Sequence, residues 1–401
     1  MKIFYCRICE RKKLKVIIDL GIQPWGNNFV SYSNIKKVKK YPLVLVFCEF
    51  CMTPQINYTI PKEEMFSNHT YLSGVTKSLS EHFFKLAKYN TQKFFNDKKK
   101  KIVLDLGSND GAQLKQYKKL KWQVLGIESS KKIAEIANNQ GLKTLPIFFN
   151  LKNAKKIKQK FDLINASGVF FHLEELHSFT KAVNYLLKND GIFCVQFLYM
   201  KSICENIAFD QIYHEHLLFY NLKNLSYLLN LHNLEIFHAK LTKIHGGQMV
   251  AFICKKGQRK KTASLKNFLT IEEQSKCNTI NFYKKFASRV KQLKRKNIKK
   301  LKLLKKRKKI IYGMGAPVKG NTLLNYFRIN NKIIRYLVEK NELRRNLYSP
   351  GSNIKILIEK DLTTFPDVYY VLAWNFKNEI LKNNKHLLKK GIKFIFPINP
   401  K

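Results

Sequence analysis

Apolar positions along the chain fall into three successive rhythms. Over about the first 65 residues, runs such as LKVIIDL and YPLVLVF are separated by turn residues, the pattern of a small β-rich module. From Lys101 to about Lys255 the runs KIVLDL, WQVLGIE, FDLINAS and GIFCVQF alternate with longer polar segments able to form helices. That alternation predicts a parallel sheet with crossover helices. Between Ser264 and Lys309 the apolar residues Phe282, Phe286, Val290 and Leu293 recur at helical spacing without Pro or Gly, predicting a linker helix or helical pair. The βα rhythm then resumes with KIIYGMGAP, IIRYLVEKN and DVYYVLAWN. The reading is therefore an α/β protein in three parts, with boundaries at 1–70, 71–260 and 261–401.

A chain of 401 residues with 45% hydrophobic positions is long enough for more than one core. No apolar run reaches the roughly 18 residues that a bilayer span requires. The start, MKIFYCRICERKK, also lacks the apolar stretch of a secretory signal, so a cytoplasmic location is expected. A formal charge of +48 raises the possibility of nucleic-acid binding. Lysine greatly outnumbers arginine, however, and Asn, Ile, Phe and Tyr are abundant too, as low-GC coding bias alone would produce. Apart from Lys98–Lys101 and the stretch 291–309 the lysines are mostly single, which favours a solvated surface attractive to anionic substrates.

Candidate chemistry begins with CRIC (Cys6, Cys9) and CEFC (Cys48, Cys51). Two C-x-x-C knuckles let four thiolates converge on one tetrahedral metal, and zinc is its usual occupant in a reducing compartment. Four thiolates leave no open coordination position, so a zinc held there is structural. Cys194, Cys204, Cys254 and Cys277 lie outside this pattern and read as buried small hydrophobes.

The segment KIVLDLGSNDG, Lys101–Gly111, is a strand followed by a glycine turn and a helix start. A dinucleotide fingerprint needs glycine two places after Gly107, where Asn109 stands, so a pyrophosphate is disfavoured at this turn. Gly107 permits the turn, and Gly111 permits close helix packing. Glu128, at the end of the next strand about 20 residues on, suits ribose hydroxyls, while Asp105 could face an ammonium. These features describe a site for S-adenosylmethionine.

The densest titratable run is FDQIYHEHLLFY, with Tyr213, His214, Glu215 and His216 consecutive. Histidines two apart share a face only in extended chain, which allows a base with an orienting carboxylate. A second metal, with His172 or His245 as third ligand, is an alternative. His172 follows FDLINAS, at the edge of a parallel sheet where ligands bind. His245 precedes two glycines, and Tyr71 lies in HTYLSG, a candidate lid.

Taken together, CRIC with LGIQPWGNNF, CEFC, MFSNHTYLSG, LDLGSNDG, VFFHL, FDQIYHEH, HGGQ, YGMGAPVKGNTLLN, SPGSNIKI and AWN resemble, in order and over essentially the whole chain, the C-methyltransferases of deoxysugar biosynthesis. The resemblance implies a zinc module, a central Rossmann-like class I methyltransferase domain and a C-terminal Rossmann-like domain that helps hold a nucleotide-linked keto-sugar. It makes His216 the general base, with Glu215 fixing its tautomer and Tyr213, His172 and Tyr71 contributing to the pocket. Gly313, Gly315, Lys319 and Asn321 then fall to the nucleotide diphosphate, with Trp374 and Asn375 as further candidates. The family often has serine at Gln248 and aspartate at Glu339, which bears on the sugar contacts. Rival readings are an O- or N-methyltransferase on a sugar and a zinc-bearing nucleic-acid methyltransferase or binder.

Overall fold

The computed structural model describes residues 1–66, 73–75, 77–97, 99–242, 244 and 247–399. Each of the three rhythms forms its own sheet. Strands β1 (Leu14–Pro24), β2 (Lys40–Cys48) and β3 (Thr53–Ile56) make an antiparallel sheet in that order. β3, with the sequence TPQI, is too short and polar to show as a strand by pattern, yet all four of its residues are buried. The loop before β1 carries one cysteine pair, and the end of β2 with the turn after it carries the other.

The central sheet runs β6 (Thr144–Leu145), β5 (Gln123–Ile127), β4 (Ile102–Leu106), β7 (Phe161–Ser167), β8 (Leu187–Leu198), β10 (Gln248–Lys255), β9 (Leu234–Thr242). The first five are parallel. β10 is antiparallel to both β8 and β9, so the sheet is mixed at one end. The sequence rhythm did not show this, because a hairpin strand buried on both faces reads like any other apolar run. Strand alternation assigns Leu104, Ile164 and Phe193 to one core and Val103, Leu163 and Ile192 to the other. Lys77–Phe94 and Ala112–Lys119 contribute Leu86, Ala87 and Tyr117 to the second core.

The expected helical pair is present as Ala263–Gln274 and Ile280–Lys306. Thr262 and Thr279 cap their first turns by accepting the Leu265 and Phe282 amides. Beyond it, β11 (Ile311–Met314), β12 (Tyr336–Glu339), β13 (Lys355–Ile358), β14 (Val368–Val371) and β15 (Lys393–Ile395) form an all-parallel sheet in the order β13-β12-β11-β14-β15. Such an order reverses direction beside its first strand, and loops at that point gather ligands. Cys194, Cys204, Cys254 and Cys277 are all buried. No helix among the described residues is long and apolar enough to cross a membrane.

Candidate functional site

The four cysteine sulfurs at the N-terminus lie within 4.8 Å of one another, with Cys6–Cys51 at 3.3 Å and Cys9–Cys48 at 3.5 Å. Four thiolates about 2.3 Å from a central zinc stand roughly 3.8 Å apart, so the donor set fits that ion. Among the described residues no second group of three or more potential ligands converges.

At the carboxyl end of β4 the chain turns through Gly107, Asn109 and Gly111, all with positive φ of 69°, 52° and 79°. Gly111 occupies a left-handed position at the helix start, where a Cβ would stand 2.5 Å from Leu142 Cδ1. Its constraint is thus against the neighbouring helix–strand loop. A Cβ on Gly107 would stand 3.1 Å from Val169. Glu128, buried at the end of β5, accepts the Asn109 amide at 3.1 Å and the Ser130 amide at 2.9 Å. Asp105 is 2% exposed, and burial, with the nearby Glu128 charge, pushes its carboxyl up to about 8. Two carboxyl groups and a glycine turn fit a cationic, hydroxyl-bearing cofactor and would repel a pyrophosphate. Asp110, which sequence reasoning passed over, ties this turn to the segment before the domain. It accepts the Ser73 hydroxyl at 2.7 Å and the Gly74 amide at 2.8 Å, while Asn109 Oδ1 accepts the Ser73 amide at 2.9 Å. Tyr71, the candidate lid residue, and His245 lie outside the described residues.

Val169 links this turn to the histidines. Three residues later His172 donates from Nδ1 to the Glu215 carbonyl at 2.5 Å. Its ring lies 5.1 Å from that of His216, which is 3% exposed. Residues 213–216 form a turn closed by the His216 amide on the Tyr213 carbonyl at 2.9 Å, and the Tyr213 and His216 ring centroids lie 3.8 Å apart with the planes tilted by 40°. In a turn, unlike a strand, residues two apart diverge. His214 therefore packs against Tyr41 of the zinc module, where Pro42 offers its carbonyl at 3.3 Å.

 The Tyr41 and His214 ring centroids are 5.9 Å apart, and burial pushes the His214 imidazole down to about 4. The two histidines thus do not share a face, which removes the paired-ligand reading. His216 donates from Nδ1 to the Gln211 carbonyl at 2.7 Å. A backbone carbonyl, in place of the expected Glu215 carboxylate, fixes its tautomer and puts the basic lone pair on Nε2. The Glu215 carboxylate instead accepts the indole N–H of Trp25, from the zinc-bearing module, at 2.7 Å.

In the C-terminal sheet the residues expected at a diphosphate separate. Gly313 lies within β11, where a Cβ would stand 2.4 Å from Leu337 Cδ2, so it serves strand packing. Gly315 makes the turn with φ of 80°. Glu339, at the end of β12, accepts the Ala316 amide at 2.9 Å. The Asn321 side-chain amide donates to the Gly26 carbonyl at 2.6 Å, a strut to the N-terminal module. Lys319 bonds Asn375 at 2.7 Å, with its ammonium 3.9 Å from the Trp374 ring centre, and burial pushes it down to about 8. The Trp374 indole donates to Asp210 at 2.6 Å, both residues being fully buried.

The sequence matches three protein-family profiles in succession: a zinc binding domain over residues 6–66, a methyltransferase domain over 79–239 and a C-methyltransferase C-terminal domain over 243–399. A curated relative, the C-methyltransferase NovU of Streptomyces niveus, is 27% identical over 400 residues, covering 98% of this chain and 95% of its own. In order and over nearly its whole length the chain is similar to C-methyltransferases, and it is an S-adenosylmethionine-dependent C-methyltransferase. This C-methyltransferase carries its S-adenosylmethionine-dependent domain between the zinc-binding module and the C-terminal domain. Among solved structures, the CcbJ methyltransferase from Streptomyces caelestis is 14% identical, covering 44% of this chain and 90% of that one with a TM-score of 0.35. The PH0226 protein from Pyrococcus horikoshii is 15% identical, covering 48% and 98% with a TM-score of 0.37.

Proposed function

We propose that the C-methyltransferase methylates the carbon next to the ketone of a nucleotide-linked keto-sugar, by way of an enolate. The observation that carries this reading is the buried His216, oriented by the Gln211 carbonyl and flanked by Tyr213 and His172. His172, whose ring borders that of His216, belongs to the loop which packs, through Val169, on the glycine turn of the cofactor site. A ketone acidifies the neighbouring C–H, so an imidazole of near-neutral pKa can remove that proton when the developing oxyanion is stabilised. His216 Nε2 takes the proton. Tyr213 donates toward the enolate oxygen, or His172 does so as an imidazolium, since its Nδ1 proton is already given to the Glu215 carbonyl; such a donor contributes a few kcal/mol in comparable oxyanion sites.

S-adenosylmethionine supplies an electrophilic methyl group, and Asp105, Gly107, Asn109, Gly111 and Glu128 are the residues that would hold it. Held there, it would present that methyl group to a bound substrate without a separate bimolecular encounter. The Gly315 turn and Lys319 take the nucleotide diphosphate end of the sugar. A cytoplasmic location suits both the reduced cysteine cluster and this chemistry.

The test is His216→Asn. This variant should bind S-adenosylmethionine and the nucleotide sugar with near-native affinity, yet lose both turnover and wash-in of solvent deuterium beside the ketone. Retained exchange would take His216 out of the base role.

A further inference from the structure

The chain has three tryptophans, and two of them come from opposite flanking domains to grip the segment 210–216. Trp25, at the end of β1, donates its indole N–H to Glu215 at 2.7 Å. Trp374, after β14, donates to Asp210 at 2.6 Å. These bonds span 190 and 164 residues of sequence.

Each carboxylate is one residue away from a group that sets the histidine geometry. Asp210 precedes Gln211, whose carbonyl takes the His216 Nδ1 proton. Glu215 precedes His216, and its own carbonyl takes the His172 ring proton. The surroundings reinforce both ends. Asn321 donates to the Gly26 carbonyl beside Trp25, and the Lys319 ammonium covers the Trp374 ring.

We propose that Trp25 and Trp374 are positioning residues: their two indole–carboxylate bonds hold the 210–216 segment from both sides so that His216 keeps its proton-accepting nitrogen toward the substrate. A turn carrying a catalytic imidazole has little rigidity of its own, and misplacement by about 1 Å is enough to cost on the order of a hundredfold in rate. Charge-assisted N–H bonds in a buried setting are short and directional, which suits them to this task. The flanking domains therefore contribute to the proton-transfer step as well as to binding.

This inference rests on the keto-sugar reading, and the experiment separates the two. Trp25→Phe and Trp374→Phe keep an aromatic ring and delete the N–H donor. Deuterium wash-in beside the ketone of a nucleotide-linked 4-keto sugar is followed for each, together with the KM of the sugar and the dissociation constant of S-adenosylmethionine. Trp122→Phe, packed between Phe95 and Tyr117 in a separate core, is the control. Exchange should slow at least tenfold in each of the first two, with KM and cofactor affinity within about threefold of wild type. Trp122→Phe should exchange at the native rate. If either Phe variant fails to fold, benzothienylalanine at that position keeps the bicyclic shape without the N–H and should show the same slowing.

Native exchange rates in both variants would overturn the positioning role and leave the keto-sugar reading standing. Equal slowing in all three, with matching losses of melting temperature, would also overturn it, since that marks general destabilisation. No exchange in the wild type would overturn the keto-sugar reading and this inference with it.

Discussion

Cofactor binding should expel a proton from Asp105, and the structure sets how much. The carboxyl is 2% exposed and is pushed up to about 8 by burial and then by the Glu128 charge. At pH 7 it is therefore about nine-tenths protonated, since the two values differ by about one unit. S-adenosylmethionine brings a sulfonium and an ammonium, which favour the ionised form and pull the carboxyl down toward its ordinary range. Release should be about 0.9 proton per site at pH 7 and about 0.5 at pH 8, falling toward zero above pH 9. Affinity should accordingly rise about tenfold per pH unit up to pH 8, or about 1.4 kcal/mol per unit, and flatten beyond it. Stability of the free protein runs the opposite way: a carboxyl raised in the folded state loses stability as pH rises from about 4 toward 8, and the cofactor restores it. The neighbouring Cys194 and Tyr117 are pushed up by burial, Cys194 to about 12 and Tyr117 well above its usual value, so neither titrates in this window. Isothermal titration in phosphate and in Tris, whose ionisation heats differ, counts the protons directly. A wild-type count near zero at pH 7, or an unchanged count in Asp105→Asn, would refute the reasoning.

Three other perturbations have defined outcomes. Cys48→Ser should release about one zinc per chain by mass spectrometry and lower the melting temperature by more than about 10 °C, because four thiolate ligands contribute folding energy directly. Turnover should fall with it, since β3 bonds the segment just after His216 through Ile56 to Leu217 and Phe219 to Pro54. Gly111→Ala combines a left-handed backbone with a Cβ 2.5 Å from Leu142; a loss of about 2 kcal/mol in urea unfolding and weaker cofactor binding are expected. Glu272 is 2% exposed and accepts from Tyr199, Leu222, Lys223 and Asn278. Glu272→Ala leaves those donors unmatched and should cost about 3 kcal/mol by denaturant titration, with little change in cofactor affinity of the folded fraction.

The residues legible in the sequence are those whose role is set by near neighbours in the chain. Cys6 with Cys9 and Cys48 with Cys51 announce a metal by spacing alone, and Gly107, Asn109 and Glu128 sit at offsets dictated by a strand–turn–helix unit. Contacts formed across the fold were not legible. Nothing near Trp25 in the sequence signals that it meets Glu215, and the Gln211 carbonyl that orients His216 has no side-chain signature at all. For the same reason the bond from Asn321, expected at a diphosphate, to the Gly26 carbonyl of another domain has no local signature. His214 and His216 diverge because 213–216 folds as a turn, whereas a spacing of two aligns side chains only in extended chain.

The most direct measurement supplies methyl-labelled S-adenosylmethionine (carbon-13) and a nucleotide-linked 4-keto sugar to the purified enzyme and reads the product by carbon NMR. The account predicts a methyl signal coupled to a ring carbon adjacent to the ketone, with the hydrogen formerly on that carbon gone. A methyl signal at an oxygen-bound shift, or equal labelling of the reduced sugar, would contradict it.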